Sequence, residues 1–261
     1  MLTTIGDILN WFAAGVLFPL MIMPLAALLF RKGAVGATLG WAAIVAALVA
    51  AGALFAWLAP RLATGDLSAA ALYFGPLVAA LGLIILISGG PLALTRSIAP
   101  ALAVITRAAG RIAMWFVLAM ALVQFAGVIL RYVFGVSFIF MQESITYMHG
   151  AVFLLAGGYA LLTDDHVRVD IFYRSAAPRR KALIDFAGTY LFLFPVSLLI
   201  LATTSGYVGN SWAVGEGSNE QSGVQAVFLL KSLIPAFAVL MAMAGFVIAA
   251  RAGEKLRSDG A

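Results

Sequence analysis

The sequence predicts an all-α integral membrane protein with seven transmembrane helices, and three observations lead there. Of the 261 residues, 64% are hydrophobic and only 10% charged, against roughly a quarter charged in soluble domains; mean hydropathy is +1.06. So few charges cannot cover a surface that faces water. The apolar residues also fall into runs near the roughly 20 residues needed to cross a bilayer as a helix. These runs lack the apolar/polar alternation of a barrel strand, and lipid offers the backbone no partners, so helices that bond internally are expected. Finally, Lys and Arg concentrate in the segments between runs.

Taken in order, the runs are 8–30, 34–58, 67–88, 112–134, 145–162, 186–207 and 224–250. Pro19 and Pro24 fall in the first, Pro76 in the third, Pro195 in the sixth and Pro235 in the seventh. Proline in a spanning helix is tolerated where neighbours re-satisfy the freed carbonyl, so kinks are expected here. The start, MLTTIGDILNWF, has no basic region before the first run and no small-residue cleavage site after it. That run is expected to remain as a spanning helix. The segment 89–111 carries three Arg and two Pro among apolar residues, which fits a short helix on the membrane surface. Similar interfacial helices are expected at 178–185 and 137–145. The resulting division is a three-span extension over 1–88, an interfacial linker over 89–111, a four-span core over 112–250 and a tail over 251–261.

Orientation follows from the loop charges. With the N-terminus outside, all 16 Lys and Arg fall on the inner side except Arg61, Arg131 and Lys231. The C-terminus is then inside, and the 206–223 loop, with Glu216 and Glu220 and no base, is outside. The pI near 9.7 is thus a topology signal and implies no nucleic-acid partner.

The absence of cysteine removes disulfides and thiolate chemistry. The expected spans hold no Asp or Glu, and their cations, Arg131 and Lys231, lie near the outer span ends. Intramembrane ionisable groups usually mark ion paths and proton relays, so an autonomous pump is disfavoured. Gln124, Thr203 and Thr204 are read as helix–helix hydrogen-bonding groups. His149 and His166 stand 17 residues apart, roughly 25 Å along a helix, too far to ligate one haem within a subunit. No HExxH or GxSxG motif occurs, so an enzyme is disfavoured. Polar chemistry concentrates instead at two places. Arg131 and Glu143 flank the short outer connection, where an ion pair between them is expected. His166, Arg168 and Asp170 lie in the polar cluster 163–170.

Those residues carry a resemblance. Arg131-Tyr132, Ser137, Glu143, Gly157-Gly158, then His166-Val167-Arg168-Val169-Asp170, then Pro178, Arg180 and Asp185 resemble the small, Q-type (DctQ-like) membrane subunit of tripartite ATP-independent periplasmic (TRAP) transporters. Gln142 stands where a first Glu is usual and Phe140 where Trp is common, and the three-span extension is additional. The resemblance implies a scaffold in the bacterial inner membrane, part of a sodium-coupled importer of an organic acid. It implies no cofactor in this chain, with sodium held by the large membrane subunit. The implied partners are that large subunit, a periplasmic substrate-binding protein and membrane lipids, with the extension packing on a partner or a second copy. Arg131 and Glu143 are then expected to organise the outer arm, and His166, Arg168 and Asp170 to fix the inner loop. Trp212, Glu216 and Glu220 are the candidates for the binding-protein face. The rival readings are a membrane anchor or electron-transfer subunit, and a stand-alone carrier.

Overall fold

Helix α7 (Val227–Ser258) is the axis on which the other helices pack. The structure, a computed structural model, describes residues 5–29, 90–166 and 173–258. In chain order the elements are α1 (Ile5–Phe12), a π-helical turn (Ala13–Leu17), α2 (Phe18–Leu29), α3 (Pro91–Val133) and α4 (Ile139–Thr163). After these come α5 (Pro178–Gly188), a second π-helical turn (Thr189–Leu193), α6 (Phe194–Ala213) and α7. Among the described residues, five helices are long and apolar enough to cross a membrane: Ile5–Leu28, Pro91–Val133, Ile139–Thr163, Pro178–Ala213 and Val227–Ser258. They correspond to the first, fourth, fifth, sixth and seventh expected spans. The runs 34–58 and 67–88 lie outside the described residues.

The expected interfacial helices are corrected. Residues 91–111 are the first half of α3, residues 139–145 are the first turns of α4, and α5 runs through the π turn into α6. Nothing in these sequences breaks the helix where surface segment was expected to meet span, since a lone Gly110 costs only about 1 kcal/mol. The 43 residues of α3 extend about 65 Å, well beyond the roughly 30 Å of hydrocarbon. Its buried residues, Pro91, Leu94, Thr95, Ala103, Thr106, Gly110 and Ala113, all lie in the first half or one turn beyond it. That half packs against α2 through Met23 and against α7 through Phe246, Ala244 and Val247. It belongs to the bundle.

The two π turns share one sequence cause. Each is followed by Phe-Pro, as Phe18-Pro19 and Phe194-Pro195. Proline has no N–H, so the carbonyl four residues earlier, of Gly15 or Leu191, loses its helical donor. Both carbonyls lie in the widened turns, where the preceding Phe N–H reaches back five residues, Phe18 to Ala13 and Phe194 to Thr189. Pro24 loosens α2 again. There the Tyr190 hydroxyl accepts the N–H of Leu25 at 2.9 Å and donates to the C=O of Met21 at 2.7 Å. A regular helix would bond those two groups to each other; here a side chain from the second π turn serves both.

Between helices in lipid, close packing does the work that hydrophobic burial does in water. Ala238, Ala242, Ala244 and Ala249 of α7 are at most 1% exposed. A side chain on Gly158 of α4 would sit 2.8 Å from the Leu240 carbonyl and 2.9 Å from Thr106. Only glycine allows α3, α4 and α7 to meet there. At the far end of the bundle, Arg96 pairs with Glu254 at 2.6 Å and Arg257 donates to the Ala27 carbonyl at 3.1 Å. These contacts tie α3 and α2 to the end of α7.

Candidate functional site

The helices run in alternating directions, so polar residues gather at two opposite ends. One holds Glu143 and the 214–226 connection; the other holds His166.

At the first end, α6 stops in a regular αL closure. Gly215 has φ 58°, the N–H of Glu216 bonds the Ser211 carbonyl at 2.9 Å and that of Gly215 bonds Trp212 at 3.2 Å. This is the Schellman arrangement, and glycine fits it because the conformation crowds any Cβ. The turn aims Glu216 at Lys231, 2.5 Å away on α7. Lys231 also lies 4.0 Å above the Tyr207 ring. The Glu216 carboxyl is held below its ordinary range, above all by its bond from Lys231.

Glu143, in the first turns of α4, organises the rest of the connection. One carboxylate oxygen accepts the Ser218 hydroxyl at 2.6 Å and the other the Val224 N–H at 2.6 Å. One helical turn on, the Tyr147 hydroxyl donates to the Val224 carbonyl at 3.3 Å, so α4 grips both backbone groups of Val224. The loop is shaped around this grip. A Cβ on Gly223 would lie 2.5 Å from Glu143 Oε2, and one on Gly217 would collide with the Gln225 amide. Sequence reasoning missed Ser218, Gly217, Gly223 and Tyr147; the glycines flanking Ser218 and Val224 were the available signal.

The expected Arg131–Glu143 ion pair is corrected. Glu143 is occupied by Ser218 and Val224, and Arg131 makes no ion pair or hydrogen bond among the described residues. Arg131 is exposed at the end of α3 and lines a cleft of about 190 Å³ between α3 and α4, with Gln124, Ser137 and Gln142. The Gln142 amide donates to Ser137 at 3.1 Å. Trp212 is exposed yet held to α7: its indole N–H donates to Ser232 at 2.7 Å and its ring meets Phe228 edge-on at 4.6 Å. Of the three residues expected to face a binding protein, Trp212 and Glu216 bond to α7 and remain partly accessible. Glu220 lends its backbone to the loop through Ser218, Gly223 and Gln225 and keeps its side chain exposed.

At the opposite end, α4 closes with Asp164 at φ 65° and the Asp165 N–H on the Ala160 carbonyl at 3.0 Å. Aspartate tolerates this conformation better than most side chains. His166 follows and lines a groove of about 460 Å³ with Asp185, Thr189 and Phe192. Tyr173 donates to Asp185 at 2.9 Å. Arg168 and Asp170 lie outside the described residues.

Thr203 and Thr204, expected to bond between helices, donate instead to their own helix, at Leu199 and Ile200. Among the described residues, no three His, Cys, Asp or Glu side chains cluster to hold a metal.

No curated protein and no solved structure matches the chain. A family model does, that of the DctQ component of tripartite ATP-independent periplasmic transporters, over residues 120–254. The match begins within α3, takes in α4, the Glu143-stapled loop and nearly all of α7, and covers just over half the sequence. The chain belongs to the DctQ family of transporter components.

Proposed function

We propose that this chain is the small permease subunit of a sodium-coupled TRAP importer for an organic acid. It braces the large transport subunit and contributes to the face on which the periplasmic binding protein docks. The observation that carries this reading is a division of labour across the molecule. At the Glu143 end, Glu143, Ser218 and the Glu216–Lys231 pair are spent on holding the 214–226 loop against α4 and α7, while the spanning part of α3 leaves a broad apolar face uncovered.

On that face Trp115, Leu118, Leu122, Phe125, Ile129 and Val133 recur at three- and four-residue spacing, with Trp115 72% and Phe125 66% exposed. A row of this spacing is one side of a helix, and it suits the flank of a second membrane subunit. In this reading the loop charges place the N-terminus in the periplasm and the C-terminus in the cytoplasm of the bacterial inner membrane. The Glu143 end then faces the binding protein, and Glu220 is the loop carboxylate left to meet it. Substrate and sodium sites lie in the large subunit, where ionisable groups inside the membrane are expected.

Reconstitution tests this. Proteoliposomes holding this chain with its large subunit, supplied with the binding protein, are expected to accumulate substrate under an inward sodium gradient. The chain alone is expected to give none; uptake by the chain alone would overturn the scaffold reading.

A further inference from the structure

The cleft between α3 and α4 at the Glu143 end is unlike the rest of the membrane-facing surface. Along α3 it is lined by Gln124, Gly127, Val128 and Arg131, spaced as one face of a helix. At roughly 100° per residue, this is the side of α3 opposite the Trp115–Phe125 row. Two polar groups on it have no partner among the described residues. Arg131 has neither ion pair nor hydrogen bond among the described residues, whereas Lys231, the other described cation at this end, is paired with Glu216. Gln124, seven residues deeper and exposed, likewise has no hydrogen bond among them. An amide in hydrocarbon without a partner is costly. Gly127 lies between the two, and a Cβ there would meet nothing within 4 Å, so the missing side chain leaves room rather than relieving a clash.

We propose that this cleft holds the headgroup of an anionic phospholipid, with its phosphate on Arg131 and its glycerol and first acyl carbons passing Gly127 toward Gln124. Several features select a lipid. A guanidinium complements a phosphate by charge and fork geometry. The cleft is polar at its mouth, with Arg131, Ser137 and Gln142, and apolar below, with Val128 and the neighbouring Val123 and Ile145. A free anion would match only the mouth. About 190 Å³ admits a phosphoglycerol group and not a helix. The mouth is rimmed by Tyr132, Phe134 and Phe138, 81%, 67% and 45% exposed, the residue types that settle at the membrane–water interface.

Native mass spectrometry of the delipidated full chain tests the proposal, with phosphatidylglycerol, phosphatidylcholine and inorganic phosphate as probes. One phosphatidylglycerol is expected to be retained in preference to phosphatidylcholine and to resist displacement by inorganic phosphate. Arg131→Gln is expected to cut that preference about tenfold, the usual scale for losing a charge-assisted bond, and Arg131→Lys to restore part of it. Gly127→Leu fills open space, so it is expected to abolish retention while leaving the thermal unfolding midpoint near that of the wild type. Retention unchanged in Arg131→Gln overturns the proposal, as does displacement by inorganic phosphate. So does a photo-crosslinker at Val128 that captures the large subunit, and no lipid, in the assembled transporter.

Discussion

Glu143 joins parts of the chain 75 to 81 residues apart through its two oxygens, and its value lies in its charge. A carboxylate accepts from both Ser218 and the Val224 N–H; a neutral amide of the same shape presents one acceptor and one donor. Glu143→Gln is therefore expected to lower stability by about 1.5–3 kcal/mol, the range for hydrogen bonds to charged groups, read by SDS-titrated unfolding. Exchange of the Val224 amide should rise with it. Glu216 predicts a pH dependence of definite sign. Its folded value lies below the ordinary 4.5. A depressed acid contributes stability that is fully present above its unfolded value and is lost as pH falls through the folded one. The unfolding midpoint is thus expected to be flat near neutrality with respect to this pair and to drop only in acid below that ordinary value. Glu216→Gln should remove that part of the acid dependence. A drop beginning near neutrality in the wild type, and abolished in the variant, would contradict the assignment.

Among the elements, the continuous helix Ile5–Leu28 has a role its composition did not announce. It docks along α6 and α7: Gly6 approaches the Ser205 carbonyl and Gly209, and Met21 and Leu17 share a cluster with Phe194 and Leu201. The Tyr190 hydroxyl then bridges a turn of α2 already weakened by Pro24. Tyr190→Phe removes that hydroxyl and leaves Leu25 and Met21 to re-form a direct helical bond. Because the backbone can close the gap, a loss of only about 1 kcal/mol is expected, with the N-terminal helix still docked. A loss several times larger in SDS-titrated unfolding would mean that the turn cannot close. The same logic explains why α3 runs unbroken through residues 91–133. Pro100 sits within it, yet packing of Leu94 and Ala103 onto the bundle outweighs a local cost of roughly 3 kcal/mol.

For the whole molecule, much was legible in the sequence because helices in lipid are local decisions. Each backbone must bond to itself, so run length alone located five helices that the structure contains, and the motif around Arg131, Glu143 and His166 pointed to the family. The single span between Glu143 and His166 also followed, and α4 sets the two residues at opposite ends of the molecule. Tertiary structure alone decided the partners. Glu143 serves Ser218 and Val224 because the 214–226 loop folds back onto α4, a closure that no periodicity encodes. Arg131 has no partner among the described residues for the same reason and opens onto a cleft instead. The centrality of α7 was equally hidden: its alanines read as ordinary apolar residues, and only the close approach of α3, α4 and α6 turns smallness into the property that holds the bundle together.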